Sequence, residues 1–120
     1  MIPDRRNRVV HLELRTGNLG CACAFLTQLF GWRVETVHAS AAPYVTLDLG
    51  GRIDGGIAEH ETARPFWLPY VEVADIDQVA ERARELGATT LLPTREGPAG
   101  WRCVVATPSG GVVALWQPKP

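Results

Sequence analysis

His11 and Glu13 stand two residues apart in VVHLELRT, residues 9 to 16, which is the spacing of side chains on one face of a β-strand. An imidazole titrates near neutral pH, and a carboxylate beside it can take or give a proton. Glu72 occupies the matching place in a second stretch, where YVEV at 70 to 73 parallels HLEL at 11 to 14. His11, Glu13 and Glu72 are therefore the candidate catalytic residues. Acid–base groups of this kind suit an isomerisation, a cyclisation or a ring opening that needs no metal. The competing reading is structural: Arg15, Arg33, Arg52 or Arg102 pairs with either glutamate across strands.

A second set of residues suits contact rather than proton transfer. The chain has four tryptophans. Flat aromatic side chains give area to flat ligands by stacking and apolar burial. Trp67, Tyr70, Trp101, Arg102, Trp116 and Tyr44 are the candidate ligand-binding residues, while Trp32, just after a helix-ending glycine, reads as core. The three cysteines are Cys21, Cys23 and Cys103. Cys21 and Cys23 diverge by about 200° around a helix, so both read as helix packing rather than a redox or metal pair. Cys103, in WRCVV, reads as a buried thiol.

These residues need elements to hold them. Val10, Leu12 and Leu14 alternate with His11, Glu13 and Arg15, which predicts a half-buried strand. Thr16-Gly17-Asn18 offers a helix cap, Leu19 to Phe30 repeats apolar residues at helical steps, and Gly31 ends it. Strands follow at Trp32 to Val37, Tyr44 to Leu49 and Arg52 to Ala58, the last with glycines inside it. The second half repeats the order: a strand at Tyr70 to Val73, a helix from Asp75 through Leu86, then strands at Ala88 to Leu92, Trp101 to Ala106 and Val112 to Trp116. The loop Pro93 to Gly100, rich in proline and glycine, is a candidate lid. The expected fold is α+β: duplicated βαβββ modules, one at 9–60 and one at 66–118, forming a curled mixed sheet around a concave cleft. Residues 1–8 read as an N-terminal tail and 9–120 as a single domain.

Composition narrows the partners. In 120 residues there are 12 basic and 13 acidic side chains, without the basic excess that a nucleic-acid partner requires. No apolar run reaches the ~20 residues of a membrane span, and the start MIPDRRNR lacks the apolar stretch of a secretion signal. The expectation is a cytoplasmic protein with no nucleic-acid or membrane partner.

The segments HLELRTGNLGCACAFLTQLFGW, YVEVADIDQVAERARELGA and VVATPSGGVVALWQP, in this order, resemble the vicinal-oxygen-chelate superfamily of glyoxalase I, extradiol dioxygenases and bleomycin-resistance proteins. The resemblance covers residues 9 to 117. It implies four metal-ligand positions on the first and last strands of each module. His11 fits the first. Ile53-Asp54-Gly55-Gly56 leaves open whether Asp54 fills the second, the third falls on Pro69 or Tyr70, and the fourth on Ala114. A divalent ion needs about three protein ligands, and nothing in the spacing aims His38 or His60 at His11. The expectation is therefore no metal and no cofactor. The metal-free, drug-binding members imply a homodimer that takes a small apolar or aromatic molecule, for resistance or biosynthesis. The alternative is a glyoxalase-like lyase, isomerase or cyclase, metal-free or with a divalent ion completed by a partner chain or the substrate.

Overall fold

The computed structural model describes residues 7–38, 43–61 and 64–120. The element order is β1 (Val9–Thr16), α1 (Leu19–Phe30), β2 (Arg33–Thr36), β3 (Tyr44–Asp48), β4 (Asp54–Glu59), β5 (Phe66–Glu72), α2 (Ile76–Glu85), β6 (Thr89–Glu96), β7 (Gly100–Ala106) and β8 (Val112–Pro118). The chain divides into an N-terminal unit, His11–Leu68, and a C-terminal unit, Pro69–Pro120 together with the start of the chain up to Val10. The first six residues of the expected tail lie outside the described residues. Asn7 and Arg8 are held by the backbone of Glu72, through bonds from Asn7 N–H to Glu72 O and from Glu72 N–H to Arg8 O.

Each unit carries out the βαβββ plan with the same connections. In the N-terminal unit the strand order is β2-β3-β4-β1, with β1 parallel to β4 and the other pairs antiparallel. In the C-terminal unit it is β6-β7-β8-β5, with β5 parallel to β8 and the rest antiparallel. The helices start as the sequence predicts. The Asn18 side chain accepts from Cys21 N–H at 3.0 Å, and Asp75 accepts from Gln78 N–H at 3.1 Å, each satisfying an amide that the first helical turn leaves open. A side chain from the unit's last strand adds a second cap: Glu59 accepts from Leu19 N–H at 3.0 Å and Gln117 from Ile76 N–H at 2.8 Å. Gly31, at φ 70°, closes α1 in the left-handed conformation that glycine adopts without strain.

One face of each sheet packs on its helix. Leu26 of α1 meets Val45, Leu47 and Ile57, with Leu14, Cys23 and Trp32 against them. Ile76 of α2 meets Val73, Cys103, Val105 and Leu115, with Trp101 against them. Trp32 and Cys103 thus take the core places expected of them. Burial pushes the Cys23 thiol up, so it stays protonated.

Three expectations need correction. Cys21 is exposed; it does not pack under the helix, because Leu26 and Cys23 set the buried stripe and Cys21 falls on the other side. The strand β5 begins at Phe66, four residues before the predicted start. The supposed lid is a hairpin: β6 runs on through Pro93 to Glu96, and Gly97 N–H donates to Gly100 O at 2.7 Å. The sequence predicts a strand ending at Leu92, before Pro93, but β6 is an edge strand with register shifts flanking Leu92. A missing N–H costs little there. Among the described residues no helix is long and apolar enough to cross a membrane.

Candidate functional site

In the N-terminal unit the sheet face opposite α1 is polar. Strand register sets His11 beside Asp54, Glu13 beside Gly56, and Arg15 beside Ala58; Tyr44 pairs with Ala58 and Thr46 with Gly56. Alternation therefore gathers His11, Glu13, Arg15, Tyr44 and Asp54 on one side. The Tyr44 hydroxyl lies 3.2 Å from His11 Nε2. To get there it crosses β4 above Gly56, where a Cβ would overlap the hydroxyl. Gly56 is thus the gap that lets a side chain on β3 reach one on β1. Glu13 is 4% exposed, and Arg15 Nε donates to its Oε2 at 2.8 Å. The arginine pairing that competed with an acid–base role for Glu13 is present in the fold.

Burial dominates the electrostatics of His11. Desolvation pulls its pKa below the ordinary value, and the opposing attractions of Glu13 and then Asp54 do not restore it. At neutral pH the ring is an uncharged imidazole sharing a hydrogen bond with a phenol, either partner donating. A histidine whose folded pKa is lowered binds its proton more readily in the unfolded chain. Its contribution to stability is whole above the unfolded value of about 6.5 and is lost as pH falls below it. Urea unfolding is expected to show a decline in stability from pH 7 to pH 5 that His11→Asn reduces. An unchanged decline in that variant would contradict this assignment.

In the C-terminal unit the corresponding face carries Tyr70, Glu72, Ala114, Trp116 and Arg102, with Tyr70 paired to Ala114, and Glu72 and Arg102 each paired to Trp116. Arg102 Nη1 donates to the Tyr70 hydroxyl at 3.3 Å. The carboxylate of Glu72 lies 4.0 Å from Arg8 Nε. Trp116 spreads its ring over Gly100, where a Cβ would stand 2.9 Å from the ring edge. Gly56 and Trp116 hold matching register positions in the two units, and so do Tyr44 and Gly100. Each sheet therefore has one aromatic side chain lying across one glycine, with the two strands exchanging roles.

Not all the sequence-derived residues converge. Trp101 lies on the helix side of β7, against the α2 core, with Lys119 Nζ 5.6 Å above its ring. It does not share the face of Tyr70, Arg102 and Trp116. Trp67 is exposed and has the opposite strand parity to Tyr70. His38 and His60 are exposed. Gly56, the passage for Tyr44, is not among the sequence-derived residues. The available signal was the Gly55-Gly56 pair inside a strand, since such glycines mark a close approach.

The residues do not fit the divalent ion implied by the resemblance. His11 is a good ligand type, and Asp54 is set beside it by register. At the other two positions stand Tyr70, whose hydroxyl accepts from Arg102, and Ala114, a buried methyl. Among the described residues no group of three or more His, Cys, Asp or Glu side chains is arranged to hold a metal.

Residues 8–115 match the family model described as the Glyoxalase/Bleomycin resistance protein/Dioxygenase superfamily. CFP32 of Mycobacterium tuberculosis, which carries the name of a glyoxylase, is 30% identical over 114 residues, covering 88% of this chain and 44% of the relative. The anthracycline biosynthesis protein DauV of Streptomyces sp. strain C5 is 24% identical over 123 residues, covering 88% of this chain and 45% of that protein. The chain thus spans less than half the length of the curated relatives it matches. Among solved structures, methylmalonyl-CoA epimerase from Mycobacterium tuberculosis superposes with a TM-score of 0.67 at 16% identity, covering 99% of this chain and 94% of that one. A superfamily member from Vibrio splendidus gives 0.66 at 21% identity, covering 92% and 97%.

Proposed function

This chain belongs to the glyoxalase/bleomycin resistance protein/dioxygenase superfamily, and from that premise we propose that it binds a small, largely apolar or aromatic organic molecule without a metal, in natural-product biosynthesis or resistance. The observation that carries the reading is the pairing of His11 Nε2 with the Tyr44 hydroxyl. The one strong ligand position is engaged with a phenol, which donates to a guest carbonyl when His11 Nε2–H donates to it and accepts from a guest hydroxyl when it donates to Nε2. The C-terminal unit has a polar pair of its own, Arg102 with Tyr70, beside the flat apolar ring of Trp116. Small-molecule sites are mostly apolar with a few placed polar groups of this kind. The relatedness to a protein named for anthracycline biosynthesis favours a fused-ring aromatic guest.

Quenching of tryptophan fluorescence by a panel of flat polyketide aromatics tests this. Saturable quenching is expected with at least one member of the panel, and Tyr44→Phe is expected to weaken that binding about tenfold, the cost of one hydrogen bond. No saturable binding across the panel, or binding indifferent to Tyr44, would refute the reading.

A second reading is an isomerase, cyclase or lyase with His11 as base. It is favoured by the burial that keeps His11 neutral and able to accept a proton. Turnover abolished by His11→Ala while affinity persists would select it over binding alone. The likeness to methylmalonyl-CoA epimerase concerns the fold, so no CoA substrate is proposed.

A further inference from the structure

In the C-terminal unit one row of side chains crosses the sheet with two arginines in it. Register sets Arg95 of β6 opposite Arg102 of β7, Arg102 opposite Trp116 of β8, and Trp116 beside Glu72 of β5. The row lies on the face away from α2, since Trp101 and Cys103, the neighbours of Arg102 on β7, pack against that helix. Two guanidiniums on directly opposite residues repel. An irregularity in β6 puts them there: from the Leu92–Val104 pair to the Arg95–Arg102 pair the chain takes three steps along β6 against two along β7. Without the extra residue Thr94 would stand opposite Arg102. Bulges of this kind re-aim a side chain, and they gather at binding sites. Arg8, Arg15, Arg82, Arg84 and Lys119 each meet a carboxylate. Among the described residues Arg95 and Arg102 form no ion pair, and the Arg102 guanidinium donates to a hydroxyl, that of Tyr70, at 3.3 Å. The nearby carboxylates are engaged elsewhere. Glu96 follows Arg95 but sits opposite Trp101 on the helix side, where Lys119 Nζ reaches it at 2.8 Å. Glu72, on the far side of Trp116, lies 4.0 Å from Arg8 Nε. A charge on an edge strand deters pairing with another chain, which accounts for Arg95 alone; Arg102 is on an interior strand.

We propose that this face binds a flat aromatic carboxylate, its ring on Trp116 and its carboxylate between Arg95 and Arg102. A carboxylate replaces the repulsion of the two guanidiniums by two attractions. Each guanidinium presents a planar fork of donors that matches carboxylate oxygens. Trp116 supplies the apolar half: its half-buried ring spreads over Gly100, next in the row to Arg102, and such surface takes a flat guest by stacking and burial. Neighbouring strands lie about 4.8 Å apart. Arg102 is therefore one strand from Trp116 and Arg95 two, roughly 10 Å across the sheet, which suits an acid on a fused pair of rings. A pairing rule broken without compensation inside the fold is expected where function needs it. The site is independent of the His11–Tyr44 anchor, which belongs to the N-terminal unit.

Calorimetric titration with 2-naphthoate, and with 2-naphthamide as its uncharged counterpart, tests it. The acid is expected to bind about tenfold more tightly than the amide or better, the worth of a charge-assisted hydrogen bond, and to weaken as salt rises. Arg95→Gln and Arg102→Gln should each cost the acid about tenfold and leave the amide unchanged, while Trp116→Leu should weaken both. Arg95→Gln should also leave the fold at least as stable as the parent, since it relieves a like-charge pair. Arg95 is exposed on an edge strand, so this variant decides the matter if Arg102→Gln fails to fold. Equal affinity for acid and amide, no binding of the acid at millimolar concentration, or a preference for the acid that survives Arg95→Gln would overturn the proposal. Tyr44→Phe acts on the N-terminal anchor and Arg95→Gln on this site, so the two proposals stand or fall separately.

Discussion

Arg15→Ala is expected to lower the stability of the fold by about 3 kcal/mol, because it removes the guanidinium bonded to a carboxylate that the sheet has enclosed. Glu13 is 4% exposed and its bond to Arg15 Nε is 2.8 Å long, while the Arg15 side chain keeps only 18% of its surface in water. Breaking one side of so enclosed a pair costs far more than losing a surface salt bridge, which is worth under about 1 kcal/mol. Glu13→Gln should cost less, since the amide still accepts from the guanidinium. Replacing the pair together by Leu and Met should recover most of the loss, since the pair's own attraction is largely offset by its desolvation. Chemical denaturation of the three variants checks this. If Arg15→Ala stays within about 0.5 kcal/mol of the parent, the range of ordinary surface changes, Glu13 has another support and the pair is not the reason it can be buried.

Gly56→Ala is expected to act on the site and on stability together. The added methyl occupies the space of the Tyr44 hydroxyl, so the ring must swing off β4 and His11 loses its phenol. Overpacking of this kind costs about 1–3 kcal/mol, nearer the lower end because a side-chain tip can move. Binding at the His11–Tyr44 anchor should fall about tenfold as the hydrogen bond goes. The two effects separate in combination with Tyr44→Ala: with no ring to displace, Gly56→Ala should become nearly neutral for stability, while binding stays weak. A full cost of Gly56→Ala in the Tyr44→Ala background would show that the glycine serves the backbone instead.

Much of the architecture could be read from periodicity. The run from Leu19 to Phe30 has apolar residues at helical spacing, an asparagine cap and a terminal glycine, and it folds over those residues. The two-residue alternation of HLEL and YVEV placed the polar and apolar faces of β1 and β5 correctly. Periodicity failed where tertiary context overrides local preference. Pro93 looked like a strand end, yet it is accommodated at an irregular edge. Trp101 looks like a ligand contact in the sequence, yet it shares the strand parity of Cys103, whose side faces α2. Strand parity places His11 and Glu13 on one face of β1. It left open which of Arg15, Arg33, Arg52 and Arg102 pairs with Glu13, and the partner is Arg15, two residues away on the same strand. Nor could it reveal that Tyr44 reaches His11, since that contact depends on β3, β4 and β1 lying side by side and on a missing side chain between them.

The proposed function has this chain take an organic molecule with its own side chains and without an ion. Fluorescence titration of one aromatic guest that binds, run in EDTA and again with added zinc, manganese or nickel, tests it most directly. The same dissociation constant is expected in every condition, with loss of affinity in Tyr44→Phe. Binding that vanishes in EDTA, returns with one ion and disappears in His11→Ala would contradict it.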